Sequence, residues 1–564
     1  MAEARRGLRG WIDSLYQGAP VPPDHPGQEC TMSLGRALHL AQQASVDALC
    51  QVGREPAVPA TNHFGSAVVA VTDTDAAAAM AQARGLSLSG LRTAVHAPDT
   101  DLGALAPQLR AAAATHLPLV LWTGFDWIAE SGAFLLHPLT PQATVDAALV
   151  AHHLAEMALM PGAIAVDRRD LLRLSRLRLP DTDLVRCMPG PAHEQIESPT
   201  PAQALVFGAH RRRHPRWLDP EQPAAHGTVP ASGPEGEAAI AGRRVFFAAE
   251  LPALVETARA RFAALTGRDL APLVRVGPAN APRVLVTHGP MMLTAAAVAE
   301  ALSGSGEPVA VVGLQWLQPF PHAALADALR GAQRICVLER SGASPDAGAA
   351  DPPLLRQVRA CLGATGVEFL SATCNRLDEA LAVAVITNLQ SAAPRASVHL
   401  GICAPGRSDF PRRQVLLDRL RRDHPELEQM VLPPAPALRL TPPEATTLAM
   451  QVRRTRAPED LLDKLAATLT TIGVETRGDM VEREPGLWRV RVAAVQGNWP
   501  TGADLPAPGV MLVDGVDPSI AADPFVDLAP GAIIVVCTEA PGEAVWQALP
   551  SAWRQHWAAR GLRL

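Results

Sequence analysis

Between Arg283 and Arg340 short apolar runs alternate with helix-length stretches: Arg-Val-Leu-Val-Thr-His-Gly-Pro, a helix, Glu-Pro-Val-Ala-Val-Val-Gly-Leu-Gln-Trp-Leu-Gln-Pro-Phe-Pro, a second helix, and Arg-Ile-Cys-Val-Leu-Glu-Arg. Continuous apolar runs bounded by Gly and Pro predict strands buried on both faces, and the intervening helices predict parallel crossovers. Upstream, the pattern predicts a helix over 33–49, a strand over 67–71, a helix over 75–84, a strand over 117–122, a helix over 144–159 and a strand over 163–166. Alternation of this kind means a parallel sheet covered by helices. The helix that includes Asp146 is apolar nearly all round, which places it between layers. The last strands are expected over 488–495, 509–513 and 532–536.

Breaks in this pattern divide the chain. We expect an N-terminal arm over 1–30, an α/β domain over 31–180, a Pro-, Arg- and Gly-rich linker over 181–245 that wraps a neighbouring domain, a second α/β domain over 246–379 and a third over 380–564. A chain of 564 residues is too long for one hydrophobic core, which agrees with a multidomain α/β fold class.

Composition narrows the chemistry. Apolar residues make up 48% of the chain, yet no apolar run reaches the roughly 18 to 20 residues of a membrane span. The first ten residues lack the apolar stretch of a secretory signal, so a cytoplasmic location is expected. Net charge is −6 and Lys464 is the only lysine, which excludes a P-loop or catalytic lysine elsewhere. None of the eight cysteines stands at Cys-x-x-Cys spacing, so the chain is expected to carry no iron-sulfur cluster of its own.

The 17 histidines invite a metal. His152 and His153 are adjacent and point about 100° apart on a helix, so we read one as buried and the other as half-buried. His210 and His214 bracket Arg211, Arg212 and Arg213, read as a loop with a solvated or salt-bridged face. Nucleic-acid binding is disfavoured by the acidic balance and the single tyrosine. The turn Thr287-His-Gly-Pro is placed to hold a phosphate, but its proline removes an amide donor. Asp73 and Asp75 stand where a strand meets a helix, and capping explains them without a ligand.

The motifs Val-Thr-His-Gly289-Pro, Gly306-Glu-Pro-Val-Ala-Val-Val-Gly, Leu317-Gln-Pro319-Phe320 and Val337-Leu-Glu339-Arg340 resemble the transketolase C-terminal-like domain of the pyruvate:ferredoxin oxidoreductases, members of the 2-oxoacid:acceptor oxidoreductase family. The likeness extends upstream to Leu265-Thr-Gly-Arg268 and the helix from Thr144, and downstream to Ser397-Val-His-Leu-Gly-Ile-Cys. It implies a thiamine-diphosphate-fold pyrimidine-type domain over 31–180, a transketolase C-terminal-like domain over 246–379 and a gamma-like α/β domain over 380–564. The family's diphosphate-binding and cluster-binding domains would lie beyond Leu564, which implies a separate subunit bearing thiamine diphosphate, Mg and Fe-S clusters. A homodimer or heterotetramer follows, with no cofactor bound by this chain alone.

Few of the family's functional residues carry over. Gln51-Val-Gly-Arg54 stands in place of its Pro-Ile-Thr-Pro turn, and no Arg stands near Trp122-Thr-Gly-Phe-Asp126, where the family holds the substrate carboxylate. The Glu that contacts the thiamine aminopyrimidine falls on Asp75, one methylene shorter. Asp75 is therefore the single cofactor-binding candidate, with no catalytic residue and no metal ligand. The resemblance implies a subunit of a 2-oxoacid oxidoreductase complex or, alternatively, a catalytically inactive scaffold of a larger redox assembly.

Overall fold

The computed structural model describes residues 23–53, 61–127, 131–218, 245–303, 308–340, 351–363, 366–401, 410–436 and, with interruptions, 438–537, together with residue 555. Most of the expected arm, the linker stretch 219–244, the motif start at Gly306 and nearly all of the C-terminal end lie outside the described residues. The chain forms two compact units, one from 1–27, 40–167 and 180–438, the other from 28–39, 168–179 and 439–564.

The first unit holds two seven-stranded sheets. In the first, Phe134–Leu136, Gly162–Ala165, Val120–Gly124, Thr93–Asp101, Ala48–Val52 and Val69–Asp73 lie side by side and parallel. Ala48–Val52 corrects the expected helix over 33–49, which ends at Ser45. Nearly every side chain of this strand is buried, and a short apolar run of that kind has no period to separate it from a continuing helix. Gly162 is required where two strands meet, because a Cβ there would come 2.1 Å from Cζ of Phe134.

Helix Pro141–Ala158 starts at Thr140, whose hydroxyl accepts the Ala143 amide. Burial almost all round matches its apolar sequence. Leu149 and Val150 pack with Ala258 and Phe262 of helix Leu251–Thr266, and Asp146 receives two hydrogen bonds from Arg268, of 2.8 and 3.0 Å.

In the second sheet Val309–Leu314, Arg283–His288, Arg334–Arg340, Glu368–Cys374, Ser397–Leu400 and Val431–Leu432 run parallel, with Leu273–Val276 antiparallel at one edge. The strand and crossover alternation read from the sequence is present. Ser397–Leu400, expected in a third domain starting at 380, instead extends this sheet by pairing with Glu368–Cys374. The short strand Trp316–Gln318 leaves it to pair antiparallel with Phe134–Leu136 of the first sheet. The indole of Trp316 is buried and donates to the Leu270 carbonyl at 2.9 Å, which anchors the exchange.

The expected linker is structured over its first part. Helices Thr182–Cys187 and Pro201–Phe207 accompany a ribbon of Gln195–Glu197 with His210–Arg212. Leu184, Val185 and Met188 pack with Leu149, Val150 and Phe262, and polar side chains tie down the rest. The Arg211 guanidinium donates to Gln203 and to the carbonyls of Glu156, Arg212 and Arg213, contacts to which hydrophobic periodicity is blind.

The second unit is a mixed sheet in the order Gln28–Ser33, Arg173–Leu179, Glu475–Glu484, Leu487–Val495, Thr446–Arg453, Val510–Asp514 and Ile533–Cys537. Its two N-terminal strands come from segments expected in the arm and the first domain. Leu174 joins Leu462, Met480, Trp488, Val490 and Val492 in one core, which gives Arg173–Leu179 apolar cover, and Gln28–Ser33 pairs with that strand. Among the described residues no helix is long and apolar enough to cross a membrane.

Candidate functional site

In open parallel sheets ligands bind beyond the carboxyl ends of the strands, where loops and helix N-termini gather. The first unit brings such ends from both of its sheets together. Phe125, Asp126 and Trp127 follow Val120–Gly124, Asp167 follows Gly162–Ala165, His137 follows Phe134–Leu136, His288 ends Arg283–His288 and Arg340 ends Arg334–Arg340.

His137 and His288 form the centre. Their Nδ1 atoms are 2.8 Å apart, and both rings are almost fully buried. Phe125 stacks on His137 at 4.8 Å and lies 4.3 Å from His288, while Trp127 meets His288 edge-on. The Arg340 amide donates to Nε2 of His288 at 3.4 Å. In the neutral His288 ring the proton therefore sits on Nδ1 and is donated to Nδ1 of His137, an assignment made from the hydrogen-bond network. Burial, followed by the nearby Arg340 charge, pushes the His288 pKa down to about 3. Burial, then His288 and Arg340, also holds His137 well below the ordinary histidine range. The pair is a neutral proton-sharing unit at pH 7.

Gly289 makes the approach of these rings possible. Its φ of +60° favours glycine, and a Cβ would fall 2.3 Å from Cε1 of His137. The Gly289-Pro turn thus serves ring packing, which explains the motif without the phosphate that its position had allowed.

The rim is charged. Nη1 of Arg340 lies 3.8 Å from a carboxylate oxygen of Asp167, both partly exposed. Asp126 accepts the Trp127 amide at 2.8 Å, and its pKa is raised, chiefly by burial. Glu339, beside Arg340, turns the other way. Its oxygens accept the amides of Leu354 and Leu355 at 3.1 and 3.3 Å, at the start of helix Pro353–Leu362. The Leu-Glu-Arg motif therefore has two structural tasks, a helix cap from Glu339 and a backbone bond to His288 from Arg340.

Asp75 occupies the N-cap of helix Ala76–Leu88, and its two oxygens accept the amides of Ala77 and Ala78. Asp73 accepts the Asp75 amide and a Gln82 side chain. Gln51 lies buried in its strand, and Arg54 falls outside the described residues. The carboxylate standing for the ring-facing Glu is exposed and accepts two helix-end amides, so capping accounts for its position without a ligand. Among the described residues no three His, Cys, Asp or Glu side chains are grouped to hold a metal.

His152 and His153 are both buried, so neither is half-buried, and burial pushes their pKa values down to about 3 and about 4. Arg211 and Arg213 are buried and His214 fully so, and His210–Arg212 is a strand rather than a loop. The salt bridge there is internal. His214 contacts Glu156 at 3.2 Å and Ser87 at 3.1 Å, and Arg92 donates to both oxygens of Glu156 at 2.8 and 2.7 Å. Burial opposes the Glu156 charge most, but the Arg92 guanidinium and the His214 contact hold its carboxyl below its ordinary range. Sequence reading missed Arg92 and Glu156; the one signal was a Glu inside an otherwise apolar helix, which demands a partner when buried.

Comparison with known proteins bears on this site directly. Residues 281–378, which include His288, Gly289, Glu339 and Arg340, match the family described as pyruvate:ferredoxin oxidoreductase core domain II. Pyruvate-flavodoxin oxidoreductase of Klebsiella pneumoniae is 32% identical over 143 residues, 25% of this chain. That of Rhodospirillum rubrum is 34% identical over 154 residues, 27% of this chain. The matched stretch spans only 12% of the length of each relative. Among solved structures, a 2-oxoglutarate:ferredoxin oxidoreductase from Magnetococcus marinus is similar at a TM-score of 0.44 and 13% identity, covering 61% of this chain and 62% of that one. The chain is thus similar, in part and divergently, to the pyruvate:ferredoxin oxidoreductases, and residues 281–378 match the family's core domain II.

Proposed function

We propose that this chain works as a subunit of a 2-oxoacid:acceptor oxidoreductase assembly, beside a separate polypeptide that supplies thiamine diphosphate, Mg and Fe-S clusters. The observation that carries this reading is the match of residues 281–378 to core domain II, in a unit where Asp75 serves as a helix cap. In that role the chain contributes architecture, built around the buried His137–His288 pair, and the partner contributes the cofactor chemistry. A cytoplasmic homodimer or heterotetramer, with no nucleic acid, belongs to the same reading.

A second reading has one observation in its favour. The capping role of Asp75 suits a catalytically inactive scaffold of a larger redox assembly.

Purification of the chain with its bound partners, followed by an assay of 2-oxoacid- and CoA-dependent dye reduction, separates the two. Reduction by the assembly and none by the chain alone supports the subunit. Stable association with redox-active chains but no 2-oxoacid-dependent reduction favours the scaffold. Reduction by the chain alone overturns both.

A further inference from the structure

Helix Pro411–Asp423 has no buried residue, although its sequence Pro-Arg-Arg-Gln-Val-Leu-Leu-Asp-Arg-Leu-Arg-Arg-Asp contains four aliphatic side chains. Val415, Leu416 and Leu420 are 69%, 55% and 41% exposed. A thirteen-residue helix is marginal in water without a packed apolar face. Clustered exposed aliphatic residues on such a helix mark a contact surface. The helix also carries five arginines against two aspartates, in a chain whose net charge is −6.

The arrangement of these residues selects the occupant. At about 100° per residue, Leu416, Leu417 and Leu420 lie within an arc of about 100° that also holds Arg413, and Arg412 and Arg419 fall between that arc and Val415. Helices that lie in a membrane interface separate a cationic face from an apolar one, and this helix interleaves them. A nucleic-acid backbone would neutralise the guanidiniums but leave the leucines uncovered. A protein surface with carboxylates around an apolar centre satisfies both sets at once. The pairs Arg419–Asp423 at 3.3 Å, exposed, and Arg421–Asp418 at 4.0 Å, partly exposed, are weak surface ion pairs that exchange readily for intermolecular ones.

We propose that helix Pro411–Asp423 is a docking surface for an acidic protein partner whose Asp and Glu side chains surround an apolar centre. The acidic body of the chain repels such a partner elsewhere, and the local positive patch steers it to this helix. The proposal is independent of the reaction the assembly performs.

The test uses the full-length chain and four probes: a labelled helical peptide with a leucine stripe flanked by glutamates, the same peptide with glutamine for glutamate, vesicles of phosphatidylglycerol and phosphatidylcholine, and a DNA duplex. Fluorescence anisotropy and vesicle sedimentation read binding to the native chain, to Arg412→Glu/Arg413→Glu/Arg419→Glu and to Leu416→Ser/Leu420→Ser. All five side chains are at least partly exposed, so both variants should keep the native melting temperature. The glutamate peptide is expected to bind, to weaken with salt, and to lose affinity by about tenfold or more in each variant and in its glutamine form. Failure of that peptide to bind the native chain overturns the proposal. So does a loss confined to the arginine variant, which is bare electrostatics, or vesicle or DNA binding of equal strength that the same variants abolish.

Discussion

Nδ1 of His137 and Nδ1 of His288 lie 2.8 Å apart although 151 residues separate them in the chain, and this contact joins the end of Phe134–Leu136 in one sheet to the end of an inner strand of another. Each ring is neutral because burial disfavours its cation.

This neutrality sets an acid limit on stability. The folded pKa values of His288 and His152, about 3, and of His153, about 4, lie below the ordinary 6.5. Their contribution is present in full above pH 6.5 and is lost as pH falls from there toward those values. Urea unfolding should lose about 1.4 kcal/mol per pH unit for each such histidine below that point. His288→Gln should flatten the slope; an unchanged slope would mean that the ring does not titrate between the two states.

Glu339 has the opposite sign. Burial raises its pKa from 4.5 to about 7 against the pull of the Leu354 and Leu355 amides. The contribution of its protonated form is present below pH 4.5 and is lost as pH rises through about 7. Glu339→Gln, which keeps an acceptor but cannot ionise, should be relatively more stable on the alkaline side than on the acid side. Denaturation midpoints of the two proteins across that range provide the comparison.

Arg92 and Glu156 are both fully buried. Removing one partner leaves an uncompensated charge, so Glu156→Gln should cost about 3 to 5 kcal/mol of unfolding free energy. Arg92→Met combined with Glu156→Leu should recover much of that loss, because no buried charge is left alone. A double-mutant cycle by chemical denaturation measures the coupling, and simple additivity would contradict it.

Asp75→Ala should destabilise by about 1 kcal/mol through loss of the cap, and Asp75→Asn by less. Thermal unfolding reads the first effect. Dye reduction by the purified assembly reads a second: if turnover falls when the protein is still folded, Asp75 also touches the cofactor.

Gly289→Ala meets a ring atom of His137 at 2.3 Å and a positive φ. The backbone alone costs roughly 1 to 2 kcal/mol, and displacement of a buried ring adds to it. The same substitution made in a His137→Ala background should cost only the backbone part. Equal costs in the two backgrounds would show that the ring does not set the need for glycine.

Local order was largely legible. The strands over 283–288, 309–314 and 334–340 announced themselves because apolar runs, Gly and Pro turns and helix-length spacers are local features. The cap at Asp75 was legible for the same reason, since an acid at a strand-to-helix junction meets free amides wherever the helix lies. The strand Ala48–Val52 was not, because no Gly or Pro separates its apolar run from the helix that ends at Ser45.

The sequence by itself determined which stretches become strand, helix and cap, for those choices rest on the backbone and its near neighbours. Tertiary structure alone decided that Trp316–Gln318 crosses to the first sheet, that Gln28–Ser33 and Arg173–Leu179 join the mixed sheet, and that Arg92 meets Glu156. It also decided that His137 meets His288 across Gly289. Such contacts depend on which apolar surfaces find cover in the folded chain, and residues 64 or 151 positions apart leave no periodic trace of their meeting.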